Sequence, residues 1–119
     1  MSEKPKTYDL EARTFELAKR VRAFARTLPK TISNLEDVKQ LIRSSGSVGA
    51  NYIEANEALS KKDFVMRIKI CRKEAKESGY WLRLLNCDTS QPVNTERDAL
   101  VRECIELTKI FSAILRKCD

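Results

Sequence analysis

The chain has 119 residues, of which 42% are hydrophobic and 34% are charged, and its formal net charge at pH 7 is +6. This length suits a single domain, and no run of apolar residues approaches the roughly 20 that a membrane-spanning helix needs. The chain has only three glycines and three prolines, which disfavours a turn-rich β fold. It has no histidine, which excludes catalytic groups built on histidine.

The first six residues carry charge, but no apolar run follows them. We therefore expect no secretory signal and no membrane association, and predict a cytoplasmic protein. Residues 1–8 are predicted to be a flexible N-terminal tail. Residues 9–119 are predicted to form one domain.

Apolar residues at helical spacing predict a first helix from about Asp9 to Leu28, where Pro29 ends it. Ser33 and Glu36 have the spacing of a capping box, which predicts the start of a second helix. The expected inward stripe of this helix is Leu35, Val38, Ile42, Ser45, Gly49, Tyr52 and Asn56, flanked by Leu41, Val48, Ile53 and Leu59.

Ser60 and Asp63 predict the cap of a third helix, and Thr95 and Asp98 that of a fourth, after a break between residues 86 and 94. The expected core sides are Phe64, Ile68, Cys71, Ala75, Ser78 and Leu82 on the third helix and Leu100, Cys104, Leu107, Phe111, Ile114 and Cys118 on the fourth. Four amphipathic helices with short connections predict an all-α fold, an antiparallel up-down four-helix bundle.

The cysteines show none of the two-residue gaps of a zinc or redox motif. They are Cys71, Cys87, Cys104 and Cys118, and we interpret them as reduced, mostly buried thiols. The glycines form no phosphate-binding loop. The sequence thus predicts no metal, no cofactor and no enzymatic activity.

The third helix carries a second apolar stripe away from its predicted core side. The stripe consists of Met66, Ile70, Trp81 and Leu84, with Glu77 in its middle and Glu74 between the two stripes. An apolar band with a large aromatic side chain is typical of an interface core. The alternative is that Trp81 covers the edge of the monomer core.

The outer face of the second helix is predicted to carry a row of short or polar side chains: Ser44, Ser47, Asn51, Glu54 and Ala58. Such a row suggests close approach by another chain, although a plain polar face is the alternative. A buried polar group there would need a partner, which Arg43, Arg67 or an adjacent subunit could supply.

A further face of the third helix is basic, with no acid among Lys62, Lys69, Arg72, Lys73, Lys76 and Arg83 and with Tyr80 interleaved. The first helix adds Lys19, Arg22 and Arg26 beside an outward Phe15. Segregated cations with an aromatic suit a nucleic-acid backbone. The alternative is a solvated face, for which interspersed acids would be expected.

Three segments resemble the bacterial "four helix bundle protein" family, which includes proteins encoded in intervening sequences of large-subunit ribosomal RNA genes. These segments are Arg43–Ala55 (RSSGSVGANYIEA), Lys62–Phe64 (KDF) and Lys73–Ser78 (KEAKES), within a similarity that runs from about Leu10 to Leu115. The resemblance implies an antiparallel bundle that assembles into a ring-shaped homopentamer. A more distant likeness is to the accessory proteins of diversity-generating retroelements, which engage a reverse transcriptase and nucleic acid.

Many members of that family have Ile-Pro where this chain has Val48-Gly49. Ser47, Asn51 and Glu54 match the family pattern.

The leading hypothesis is a non-enzymatic, oligomeric protein that binds nucleic acid, structured RNA above all. The alternative is an oligomeric scaffold that binds another protein, such as a reverse transcriptase, and no nucleic acid.

The predicted nucleic-acid-binding residues are Lys19, Arg22, Arg26, Lys69, Arg72, Lys73, Lys76 and Arg83. The predicted oligomer interface comprises Ser47, Asn51, Glu54, Met66, Ile70, Glu77, Trp81 and Leu84. A carboxylate enzyme using Glu54, Glu74 and Glu77 ranks third, because di-iron bundles also need histidine.

Overall fold

The structure is a computed structural model, and it describes residues 9–119. Those residues form four helices and no strand: α1 (Leu10–Ala25), α2 (Ile32–Asn56), α3 (Lys61–Leu84) and α4 (Gln91–Lys117). The all-α prediction is therefore confirmed. The predicted tail, residues 1–8, lies outside the described residues.

Each helix packs against its neighbours in sequence, α2 against α3 most extensively, and α1 meets α4 to close the arrangement. Side-chain contacts between helices show that neighbouring helices are antiparallel, because residue numbers rise along one helix as they fall along the other. Between α1 and α4 the contacts are Arg13–Glu103 and Arg20–Glu96. Between α2 and α3 they are Ser44–Ser78 and Asn51–Arg67. The helices thus form an up-down bundle in which α1 and α3 occupy diagonal positions.

The core lies where the apolar stripes of the four helices meet. The predicted core sides of α3 and α4 are confirmed: Ile68, Cys71, Ala75, Ser78, Leu82, Leu100, Cys104, Leu107 and Phe111 are all buried. Phe64, Ile114 and Cys118 are only partly buried, because they lie toward one end of the bundle, where α3 begins and α4 ends.

The inward direction of α2 differs in part from the predicted one. Ser45 is buried and Ile42 and Tyr52 pack against the core, as expected. Leu41 and Val48, expected to flank the stripe, are fully buried, whereas Leu35 is 51% exposed. Ser44, expected to face outward, is also buried, and it accepts a hydrogen bond from Ser78 Oγ at 2.9 Å. The physical reason is that α2 turns its buried side toward α3, its main packing partner.

Two helix starts also differ from the predicted positions. Thr31, not Ser33, caps α2, and its side chain accepts a hydrogen bond from the backbone N–H of Asn34. Ser90 caps α4, which begins about one turn before Thr95, because a proline such as Pro92 is tolerated in the first turn of a helix. The cap of α3 at Ser60 is as predicted.

The end of α1 also differs from the predicted one, because the helix stops at Ala25, with Arg26 as its C-cap, before reaching Leu28.

Among the helices of residues 9–119, none has the length and apolar character that a membrane span needs.

Candidate nucleic-acid and oligomer interfaces

The eight predicted nucleic-acid-binding residues lie at the surface. Seven are exposed, and Arg72 is partly exposed. Within residues 9–119, none of the eight has a carboxylate oxygen within 4.0 Å. No carboxylate of the described residues therefore pairs directly with their positive charges.

Other cations of the chain behave differently. The Arg13 side chain donates two hydrogen bonds to Glu103, at 2.6 and 2.9 Å, and Arg20 pairs with Glu96 in the same manner. The hydrogen bond to Glu103 raises the pKa of Arg13, and the one to Glu96 raises that of Arg20. These arginines join α1 to α4, whereas the eight predicted binding residues form no such ion pairs with residues 9–119.

The two basic sets occupy different sides of the protomer. We call Lys62, Lys69, Arg72, Lys73, Lys76 and Arg83 the α3 basic face, and Lys19, Arg22 and Arg26 the α1 basic stripe. Because α1 and α3 are diagonal in the bundle, their outward sides point apart. The structure therefore keeps these sets as two separate surfaces. Beside the α1 basic stripe, the Lys19 ammonium lies 5.8 Å from the ring centroid of the exposed Phe15.

The predicted interface residues lie along the seam between α2 and α3. At one place, Arg67 donates a hydrogen bond to Asn51 Oδ1 at 3.0 Å. The Asn51 amide in turn donates to the backbone carbonyl and the hydroxyl of Ser47, both at 2.9 Å. Asn51 is thus paired within its own protomer, by one of the two arginines considered from the sequence. Glu54 is exposed.

Farther along the seam, Arg43 donates to Glu77 Oε2 at 2.5 Å, and the Trp81 indole donates to the same oxygen at 3.2 Å. Glu77 is therefore also satisfied inside the protomer. Trp81 packs against the edge of the core, and its ring meets Tyr80 edge to face with centroids 5.1 Å apart.

The second apolar stripe of α3 remains partly uncovered. Met66 is 54% and Leu84 50% exposed, while Ile70 and Trp81 are half-buried. The Trp81 ring covers the core edge, as the simpler interpretation held. The exposed Met66 and Leu84 are the part of the stripe that monomer packing does not explain.

Glu74 is the candidate residue whose burial the sequence did not predict. It is buried, 6% exposed, and its Oε1 has no hydrogen-bond partner among the described residues. The nearest cation is Arg43, with Nη1 at 3.5 Å. Helical spacing placed Glu74 at the boundary between the two stripes, and only the packing of α2 decides that this boundary is inside.

The cysteines are free thiols, and Cys71, Cys87 and Cys104 are buried, as predicted. Burial raises the pKa of both Cys71 and Cys104 to about 12. Over residues 9–119 there is no group of three or more His, Cys, Asp or Glu side chains suited to a metal ion. These thiols serve as small apolar core groups.

Comparison with known proteins agrees with the helical architecture. A crystal structure from Bacteroides thetaiotaomicron VPI-5482, described as a protein with unknown function from the S23 ribosomal protein family, is 28% identical to this chain. The similarity covers 88% of this chain and 96% of that one, with a TM-score of 0.72. No curated protein sequence matched.

A model of the 23S rRNA-intervening sequence protein family matches residues 6–113, nearly the whole chain. The resemblance noted from Arg43–Ala55, Lys62–Phe64 and Lys73–Ser78 is thereby confirmed. The chain belongs to the 23S rRNA-intervening sequence protein family.

Proposed function

We propose that the protein is a non-enzymatic, oligomeric RNA-binding protein that holds structured RNA through its basic helix faces. The observation that carries the proposal is the α3 basic face, whose six cations have no carboxylate within 4.0 Å among the described residues. Such a row can contact the phosphates of a nucleic acid through charge, without reading the base sequence.

The family description concerns an intervening sequence of 23S rRNA, which makes structured RNA the first ligand to test. Folded RNA is recognised mainly by its shape, its phosphates and its unpaired segments. A helical protomer with cations on two sides suits contacts of that kind.

Assembly is part of the same proposal. We propose a ring-like homo-oligomer, a pentamer, that buries the exposed Met66 and Leu84 along the seam of α2 and α3. A ring repeats the α3 basic face once per subunit, so that several weak contacts act together through avidity.

Salt dependence provides the test. Each phosphate neutralised contributes a slope of about −0.7 to −0.9 to log affinity against log salt concentration. We expect fluorescence anisotropy with a labelled structured RNA to show a steep slope of this kind. The double variant Arg72→Glu, Lys76→Glu should lose most of the binding.

The matched control is Lys39→Glu, Arg102→Glu, which changes the net charge equally at two exposed positions outside both basic surfaces. It should bind nearly as the unmodified protein does. Circular dichroism and light scattering should show unchanged helix content and mass for both variants. Equal losses in both variants would mean that net charge alone acts, and the assignment to α3 would fail.

An oligomeric scaffold that binds a protein instead of RNA is the second candidate, favoured by the exposed Phe15 and Ile53 beside a cleft between α1 and α2. It would replace the RNA proposal if the unmodified protein showed no salt-dependent RNA binding at low ionic strength.

A further inference from the structure

A cleft of about 290 Å³ lies between α3 and α4, next to the α3 basic face. Apolar or small residues line its floor, and one wall is formed by Val101, Cys104 and Ile105 of α4. Ile105 is 49% exposed, although a solvent-facing position on α4 would suit a polar residue. The volume is close to the lower limit of about 300 Å³ for small-ligand sites.

Gly79 keeps this cleft open on the side of α3. A Cβ atom at this position would lie 3.6 Å from Cys104 Cβ, so a longer side chain would enter the space between the two helices. Glycine otherwise weakens the interior of a helix by about 1 kcal/mol relative to alanine. The open space is what the glycine provides here.

An aromatic ring and several cations surround the opening. Tyr80 is 49% exposed, and its ring is steadied by the edge-to-face contact with Trp81. Lys76 and Arg83, both members of the α3 basic face, line the same cleft, as does Lys109. An apolar slot with an aromatic side and a cationic rim is complementary to a nucleobase attached to a phosphate.

We infer that the α3–α4 cleft takes one unpaired nucleotide of the bound RNA. The base lies against Tyr80 and Ile105, and the flanking phosphates contact Lys76 and Arg83. A base inside a duplex is stacked on both sides and paired, so it does not reach the cleft unless it is extruded. The inference rests on the proposed RNA binding, and it adds a preference for RNA with unpaired bases.

The experiment compares two labelled RNAs that carry the same number of phosphates, a hairpin with an unpaired loop and a fully paired duplex. The unmodified protein should bind the hairpin more tightly. The variant Gly79→Leu, which fills the cleft, should weaken hairpin binding about tenfold, the scale of one base stacked on an aromatic ring. Its duplex binding and its salt slope should stay unchanged, because every cation is retained.

Gly79→Ala is the matched control, since its Cβ makes only an ordinary contact with Cys104, and it should keep the hairpin preference. Tyr80→Leu tests the ring directly if Gly79→Leu disturbs folding, and it should lose the preference too. A hairpin carrying 5-iodouridine in its loop should form its photochemical crosslink at Tyr80, located by mass spectrometry of the digested protein.

The outcomes separate the two proposals. Salt-dependent binding of both RNAs with no hairpin preference, or a preference that survives in Gly79→Leu and Tyr80→Leu, overturns the cleft while RNA binding stands. Absence of binding to either RNA overturns both. Displacement of the hairpin by adenosine monophosphate at micromolar concentration would instead assign the cleft to a free nucleotide and overturn the inference.

Discussion

Asn34 joins two loops that are far apart in the chain. Its amide donates hydrogen bonds to the backbone carbonyls of Pro29, at 2.9 Å, and Asn86, at 2.8 Å, and its Oδ1 accepts one from the Asn86 N–H. The residue is 2% exposed. At the scale of single residues, it fixes the end of the bundle at which α1 passes into α2 and α3 ends.

We expect Asn34→Ala to lower the free energy of unfolding by about 2 kcal/mol, because three partly buried hydrogen bonds are lost and backbone groups lose their partner. Urea unfolding followed by circular dichroism measures the change. Asn56→Ala, at an exposed position, is the control and should change stability by less than about 0.5 kcal/mol. Similar losses in both variants would refute the bridging role.

The four cysteines should differ in how readily they are alkylated, because they differ in burial. Burial raises the pKa of Cys71 and Cys104 to about 12, and the thiolate is the reactive form. At pH 8, iodoacetamide should therefore modify the partly exposed Cys118 first in the native protein and all four cysteines after unfolding. Mass spectrometry counts the adducts, and early labelling of Cys71 or Cys104 would contradict the structure.

The same two thiols make stability depend on alkaline pH. Unfolded thiols ionise near pH 8.5, whereas the folded ones keep their protons to about 12. Between these values the folded state binds more protons, so the free energy of unfolding should fall as the pH rises above about 8.5. Below that pH the two thiols should contribute no pH dependence.

At the scale of helices, α1 and α2 approach closely at Gly49. A Cβ atom there would lie 3.0 Å from Thr14 Oγ1 and 3.4 Å from Thr14 Cβ. Thr14 is buried, and its hydroxyl donates to the Leu10 carbonyl at 2.7 Å, so it has little freedom to move. The glycine is therefore favoured by helix packing and not by backbone conformation, since its φ is not positive.

Gly46, one turn earlier, has no such contact, because its added Cβ would meet only the flexible end of Arg22 at 3.7 Å. We expect Gly46→Ala to raise the free energy of unfolding by up to about 1 kcal/mol through helix propensity. Gly49→Ala should gain less than Gly46→Ala or lose stability, because Thr14 must shift. Equal gains in urea unfolding would show that α1 and α2 can adjust freely.

At the scale of the whole molecule, the exposed part of the second α3 stripe is the basis for the proposed assembly. Unmodified protein at micromolar concentration should show a mass of about five times the 13.7 kDa chain by size exclusion with light scattering. A monomeric mass would refute the oligomer. Trp81→Glu should break the assembly, since it buries an unpaired charge beside Glu77.

Because Trp81 also packs against the core, a cleaner variant is Met66→Glu, Leu84→Glu, at positions half-exposed in the protomer. It should give monomers with unchanged helix content. Phe15→Glu is the control, as Phe15 is 63% exposed on α1, and it should leave the mass unchanged. A full-size assembly in the double variant would place the interface elsewhere.

The sequence by itself determined the number of helices, the core sides of α3 and α4, the cap at Ser60 and the family. These features depend on local spacing, which is visible along the chain. It also identified the α3 basic face, because charged side chains at one helical angle stay together however the helices pack. The starts of α2 and α4 differed by a few residues, since Thr31 and Ser90 compete with equally suitable caps nearby.

Only the tertiary structure decided which groups near a stripe boundary are inside. Ser44 is buried because α2 turns toward α3, and Glu74 is buried for the same reason. The cleft beside Gly79 requires α4 to bring Cys104 and Ile105 next to α3. Helical periodicity fixes the angles of side chains within one helix, but the rotation of each helix about its axis is set by the packing of all four together.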